Sequence, residues 1–279
     1  MFTRTEVLER LNKTLSEGKP IIGAGAGTGI SAKFAERGGA DLILIYNSGR
    51  YRMNGHGSNA GLMPIGDANA IVMEMGERDV LPVVENTPVI AGVNGTDPTR
   101  VMDRFLGQVE EMGFSGVINF PSVGYIDGRW RQSLEATGFG YDREVDMIRK
   151  ANKRGMFTLA YVYEPHEAPP MAEAGVDVLV AHLGLTTGGS IGAEAGDFMT
   201  KSLDECIDHA IQTRDAAKTV NPDVIVVTHG GPLEMPEAVE KVMRGSECYG
   251  FIGASTMERL PTEVAIESTV RSFKDITLK

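Results

Sequence analysis

Three side chains able to move protons or bind a metal each follow a short apolar run: Glu164 after Phe157 to Tyr163, His182 after Val176 to Ala181, and His229 after Val224 to Thr228. A carboxylate beside two imidazoles suits acid/base catalysis, and the same set suits a divalent metal. Glu164 and His182 are the expected ligands of such an ion, Mg or Zn, with His229 as general acid or base. The remaining imidazoles read differently: His56 and His166 fall in loop-like stretches, and His209 falls within a helical period.

Glycines and hydroxyls recur after the same runs. Gly188 and Gly189 with Ser190, then Gly230 and Gly231, then Gly253 with Ser255 form turns of the kind that offer backbone N–H groups to a phosphate or carboxylate. Gly25, Asn47, Ser48 and Asn94 follow earlier runs and add bare backbone, amides and a hydroxyl. Arg50 offers a bidentate fork to the other end of the same anion. The glycine-rich stretch Gly23 to Gly29 is not a dinucleotide loop. Ile30 stands where the third glycine of G-x-G-x-x-G belongs, and the next run ends in Asn47 rather than in an acid that would hold a ribose, so NAD is not expected.

These residues share one mouth only if the runs are neighbouring parallel strands. Eight runs qualify: Ile21 to Gly23, Asp41 to Tyr46, Pro88 to Val93, Gly116 to Phe120, Phe157 to Tyr163, Val176 to Ala181, Val224 to Thr228 and Tyr249 to Ala254. Several are apolar almost throughout, as parallel strands are when both faces are covered. Helical periods separate them, including Pro98 to Met112, Asp142 to Arg154, Leu203 to Val220, Pro236 to Arg244 and Thr262 to Phe273. At 279 residues, the pattern predicts a single (β/α)8 TIM barrel over 1–279, with an extra N-terminal helix at Phe2 to Ser16. Asn47 to Gly66 is much longer than an ordinary βα loop and reads as a lid over the C-terminal face.

Composition narrows the function. With 42% hydrophobic and 23% charged residues the chain can bury a large core, which argues against disorder. A net charge of -11 repels nucleic acid and anionic lipid, so the expected partner is a small anionic metabolite, with no nucleic acid and no membrane. Cys206 and Cys248 form no C-x-x-C pair, and Glu6 and Glu9 interrupt any signal-peptide core, so a cytoplasmic protein is expected. A homo-oligomer is expected on general grounds.

The motifs Gly23-Ala24-Gly25-Ala26-Gly27-Thr28-Gly29, Tyr46-Asn47-Ser48-Gly49-Arg50, His182-Leu183-Gly184-Leu185-Thr186, Thr228-His229-Gly230-Gly231-Pro232 and Gly253-Ala254-Ser255-Thr256-Met257-Glu258-Arg259-Leu260 resemble those of the phosphoenolpyruvate hydrolase-like TIM-barrel family. The resemblance spans nearly the whole chain. It implies an enzyme that breaks a C–O–P, C–P or C–C bond in a small phosphorylated or oxoacid anion, with phosphoenolpyruvate hydrolysis as the named example. The alternative it leaves open is a non-catalytic barrel that senses a metabolite or nucleotide. The residue roles above rest on position and side-chain chemistry alone.

Overall fold

Each apolar run becomes a strand in the computed structural model, which describes residues 1–192 and 200–278. The strands are β1 (Ile21–Gly25), β2 (Leu42–Ile45), β3 (Val89–Val93), β4 (Gly116–Asn119), β5 (Phe157–Val162), β6 (Val178–His182), β7 (Ile225–His229) and β8 (Gly250–Gly253). They pair in parallel in chain order, and β8 closes on β1. This is the expected (β/α)8 barrel.

Alternation along the strands sorts the side chains into two layers. Leu42 and Leu44 of β2, Phe157, Leu159 and Tyr161 of β5, Val178 and Val180 of β6, and Val227 of β7 fill the barrel interior. Ile43, Ala160, Leu179 and Val226 point outward and meet the helices. Burying each such aliphatic side chain is worth about 1.5–3 kcal/mol. The interior leaves no room at Gly23, where a Cβ would lie 2.4 Å from Ile252 Cδ1 and 2.9 Å from Leu44 Cδ1.

The helices are α1 (Arg4–Ser16), α2 (Gly29–Arg37), α3 (Asn47–Met53), α4 (Ala68–Met75), α5 (Met102–Met112), α6 (Gly128–Ala136), α7 (Tyr141–Lys153), α8 (Ala168–Glu173), α9 (Leu203–Lys218), α10 (Pro236–Ser246) and α11 (Arg259–Lys274). α1 starts on a capping box between Thr3 and Glu6 and packs Val7 and Leu11 against the interior layer. Arg4 locks it with a fork onto Asp177, 2.7–3.0 Å away, so the floor of the barrel is closed.

Two segments depart from the expected pattern. Asn47 to Gly66 is largely not irregular: it begins as α3 and continues as a 3-10 turn over Ser58–Leu62. The helix starts at the first residue beyond Tyr46 because Gly49 lets it touch the β1 turn; a Cβ at Gly27 would lie 2.2 Å from Gly49 O. At the other end of the chain, α11 buries only Arg259 and otherwise leaves the barrel wall. Among the described residues, no helix is long and apolar enough to cross a membrane.

Candidate functional site

β6 and β7 end side by side, with His182 and His229 directly paired in register. Both point inward by the strand alternation, their ring centroids are 4.8 Å apart, and each residue is 8% exposed. The backbone assigns them opposite tautomers. Gly184 N–H donates to His182 Nδ1 at 3.2 Å, so the neutral ring carries its proton on Nε2. His229 Nδ1 lies 2.6 Å from Ile252 O, a carbonyl that can only accept, so Nδ1 holds the proton and Nε2 presents a lone pair. Burial holds both rings neutral. It lowers His229 to about 4, and burial with the neighbouring His229 takes His182 well below its ordinary value.

Tyrosines wall the pair. Tyr161 lies 5.2 Å from His182 and 5.0 Å from His229, ring to ring, and Tyr163 lies 4.5 Å from His182. Tyr161 and Tyr163 share the inward face of β5 and its extension, two residues apart. The Tyr161 hydroxyl shares a 2.7 Å hydrogen bond with that of Tyr46 at the end of β2. Burial raises all three phenols above their usual range, so they are neutral.

The charge in the site is Arg52. Its guanidinium is buried, with Nε and Nη2 lying 2.9 and 2.7 Å from Glu258 Oε2. The other Glu258 oxygen accepts from Gly27 N–H at 2.5 Å and from the Ser31 hydroxyl. Three segments are thus tied together: the β1 turn, α3 and the loop after β8. Arg52 lines the cavity at the mouth, and its buried Nη2, though within ion-pair distance of Glu258, makes no hydrogen bond to a described residue. The cavity measures about 50 Å³ and is bounded by Ser48, Arg52, Tyr161, His182, His229 and Ser255, with Ser58 and Leu62 of the 3-10 turn beside them. That is room for three or four water-sized groups.

The structure brings His182, His229, Ser48 and Ser255 into this cavity and leaves other expected residues outside it. Arg50 lies on the far side of α3, paired with Glu74 at 2.9 Å. Glu164 is exposed at the start of the turn after β5. The buried carboxylate there is Glu167, which accepts from Tyr163 N–H at 2.9 Å and from Arg131 Nη2 at 3.1 Å. Glu164, expected as a metal ligand with His182, is not among the residues that bound the cavity. Among the described residues, no three His, Cys, Asp or Glu side chains gather to hold a metal, and no carboxylate lines the cavity.

The glycine turns are likewise occupied. Gly231 N–H donates to Gly184 O at 2.8 Å, and a Cβ at Gly230 would meet the same oxygen, so these glycines stitch the β6 and β7 turns together. Gly188 and Gly189 face Glu234, Arg259 and Glu263, where two carboxylates would repel an anion. Gly253 packs on Met257, and Gly25 on Ala254 and Tyr46. Asn47 donates to Gly61 O at 2.9 Å, and Asn94 N–H donates to Asn69 Oδ1 at 2.8 Å; both asparagines border a separate opening of about 710 Å³.

Sequence reasoning did not reach Arg52, Glu258 or the tyrosines. A signal for the first existed: Ser48 and Arg52 are i and i+4, and share a face only if Asn47 to Met53 is helical.

The likeness to known proteins covers the whole barrel. The chain is 54% identical over 277 residues to the ToMV susceptible protein tm-1(GCR26) of Solanum lycopersicum, covering 99% of this chain and 36% of that protein. It therefore spans about a third of the length of that curated relative. Phosphonopyruvate hydrolase, solved with oxalate and Mg++, superposes with a TM-score of 0.58 at 18% identity, covering 98% of this chain and 88% of that one. Oxaloacetate acetylhydrolase superposes with a TM-score of 0.61 at 16% identity, covering 98% and 87%. A profile of the phosphoenolpyruvate hydrolase-like proteins matches residues 6–276, and the chain belongs to that family.

Proposed function

We propose that the mouth cavity binds a small oxoacid anion and breaks a C–O–P, C–P or C–C bond near its carboxylate, with phosphoenolpyruvate or phosphonopyruvate hydrolysis as the model reaction. The observation that carries this reading is the opposed pair of neutral imidazoles beside a buried guanidinium. A proton acceptor, a proton donor and a cation face one small space.

Arg52 takes the carboxylate of the ligand with its guanidinium, whose Nη2 makes no hydrogen bond within the fold. The His229 Nε2 lone pair takes the proton of an attacking water or a substrate hydroxyl. His182 Nε2–H donates to the oxygen on which negative charge gathers. A fixed donor in a dry site stabilises that charge without reorganising solvent. α3 and the Ser58–Leu62 turn supply the roof, and they lift to admit the ligand. The solved neighbours named for phosphonopyruvate and oxaloacetate support the substrate class. One neighbour holds Mg++; among the described residues no three His, Cys, Asp or Glu side chains gather to hold such an ion, and no step here is routed through a metal.

The test combines calorimetric titration with oxalate and assays of product release from phosphonopyruvate, phosphoenolpyruvate and oxaloacetate, with and without Mg2+. Wild type should bind oxalate and turn over at least one substrate. His229→Asn, which can still donate to Ile252 O, should retain oxalate and lose turnover by about 10²–10⁴-fold. Oxalate binding with no turnover of any substrate returns the barrel to the role of a metabolite sensor.

A further inference from the structure

A second opening lies beside the mouth cavity and shares Leu62 with it. It measures about 710 Å³, within the range of about 300–1,000 Å³ that small-molecule sites occupy. Met63 and Ile65, which follow the 3-10 turn, line it together with Ile126, which follows β4, and Trp130 of α6. Three of these stand open to solvent: Trp130 is 64%, Met63 58% and Ile65 51% exposed. An exposed indole in an apolar opening offers a flat face on which a second ring can stack.

The polar groups of the opening select what that ring carries. Its charged residues are Asp67, Asp97 and Arg100. Arg100 Nη2 donates to Asp67 Oδ2 at 2.7 Å and Nη1 pairs with Asp97, so two carboxylates claim the guanidinium and the set bears one net negative charge. Burial works against that charge, but hydrogen bonds, those from Arg100 among them, hold both acids below their ordinary values. An anion is repelled there. The opening also has an acceptor without a donor. Asn47 is 2% exposed; its Nδ2 donates to Gly61 O at 2.9 Å, whereas its Oδ1 is buried and makes no hydrogen bond. Buried carbonyl oxygens are nearly always satisfied. Gly61, where a Cβ would lie 3.1 Å from this oxygen, belongs to the Ser58–Leu62 turn, and a shift of that turn uncovers it.

We propose that this opening is a second ligand site, for a planar aromatic amide or amidine. The ring stacks on Trp130, and an N–H group donates to Asn47 Oδ1 once the turn shifts at Gly61. Asp67 and Asp97 admit a neutral or positive group and turn away a negative one, the reverse of the selection that a guanidinium makes in the mouth cavity.

Trp130 is the only tryptophan in the chain, so its fluorescence reports on this opening. Benzamide and benzamidine should quench it saturably at millimolar concentration or below. Benzoate has nearly the same shape but a negative charge, and acetophenone lacks the N–H; each should bind about tenfold more weakly than benzamide. In calorimetry, Trp130→Ala should weaken benzamidine about tenfold, with an unchanged circular dichroism spectrum because the side chain is exposed. These probes are read on wild type whether or not oxalate binds at the mouth, so the two sites stand or fall separately. No saturable quenching by benzamide or benzamidine overturns the assignment. So does benzoate or acetophenone binding as tightly as benzamide, or a Trp130→Ala protein that holds benzamidine as well as wild type.

Discussion

The mouth cavity encloses about 50 Å³ among tyrosines, two imidazoles and a guanidinium, whereas a groove at the β8–β1 seam, between α10 and the base of α11, opens over about 1340 Å³ of aliphatic and aromatic surface. In the first, polar groups are held by named partners: His229 by Ile252 O, His182 by Gly184 N–H and Arg52 by Glu258. In the second, little polar is fixed and much apolar surface is left uncovered. Size therefore does not mark where polar groups are held in place. Desolvation does, because a buried hydrogen bond fixes a tautomer and a buried charge must be paired.

The sharpest way to break this contrast is to remove the charge. Arg52→Ala leaves Glu258 buried with only Gly27 N–H and Ser31 as partners, and should cost about 3–5 kcal/mol in urea unfolding and abolish oxalate binding. Val270→Asp, at an exposed position of α11, should cost less than about 0.5 kcal/mol. Equal costs would show that the two regions do not differ as described.

The next effect is in pH. The folded His229 titrates near 4 against 6.5 for an ordinary imidazole, so between those values the unfolded chain binds the proton that the folded chain refuses. This contribution is complete above pH 6.5 and is lost as the pH falls toward 4, by about 3 kcal/mol in all. Glu144, buried and pushed up to about 8, acts in the opposite sense, so the measurement is the difference between wild type and His229→Asn. That difference should widen with pH from 4 to 6.5; a flat difference would mean that the ring is charged in the fold.

A smaller loss is expected for His182→Ala. It leaves Gly184 N–H without its acceptor, for about 1–3 kcal/mol in thermal unfolding, and should also weaken oxalate. Unchanged oxalate affinity would make His182 a structural residue only. Smallest of all, Arg50→Ala removes a partly exposed pair with Glu74 and should change stability by under about 1 kcal/mol and oxalate affinity not at all. A clear loss of binding there would move the anion site off the cavity.

The barrel was legible because its evidence is local: eight apolar runs, helical periods and the strand-end position of His182 and His229. The site was less so because its parts depend on pairings far apart in sequence. Arg52 meets Glu258 across 206 positions, and the exposed face of α3 takes Arg50, the arginine that a flat reading of the loop favours. Glu164 and Glu167 differ by less than one helical turn, and only the fold decides which is buried. The glycine turns offered N–H groups on paper, but at Gly231 the neighbouring turn uses the N–H, which donates to Gly184 O.

Glu258 and Arg259 are consecutive in the chain, yet the carboxylate of one holds Arg52 in the mouth and the guanidinium of the other holds Gly188 O at the root of α11. A single peptide bond thus joins the two regions contrasted above. Energies measured on either side should not simply add: a cycle of single and double replacements at Arg52 and at Glu263, which pairs with Arg259, should show a coupling of about 0.5–3 kcal/mol. By reciprocity, a ligand that shifts Arg52 and one that shifts α11 would alter each other's affinity by the same factor.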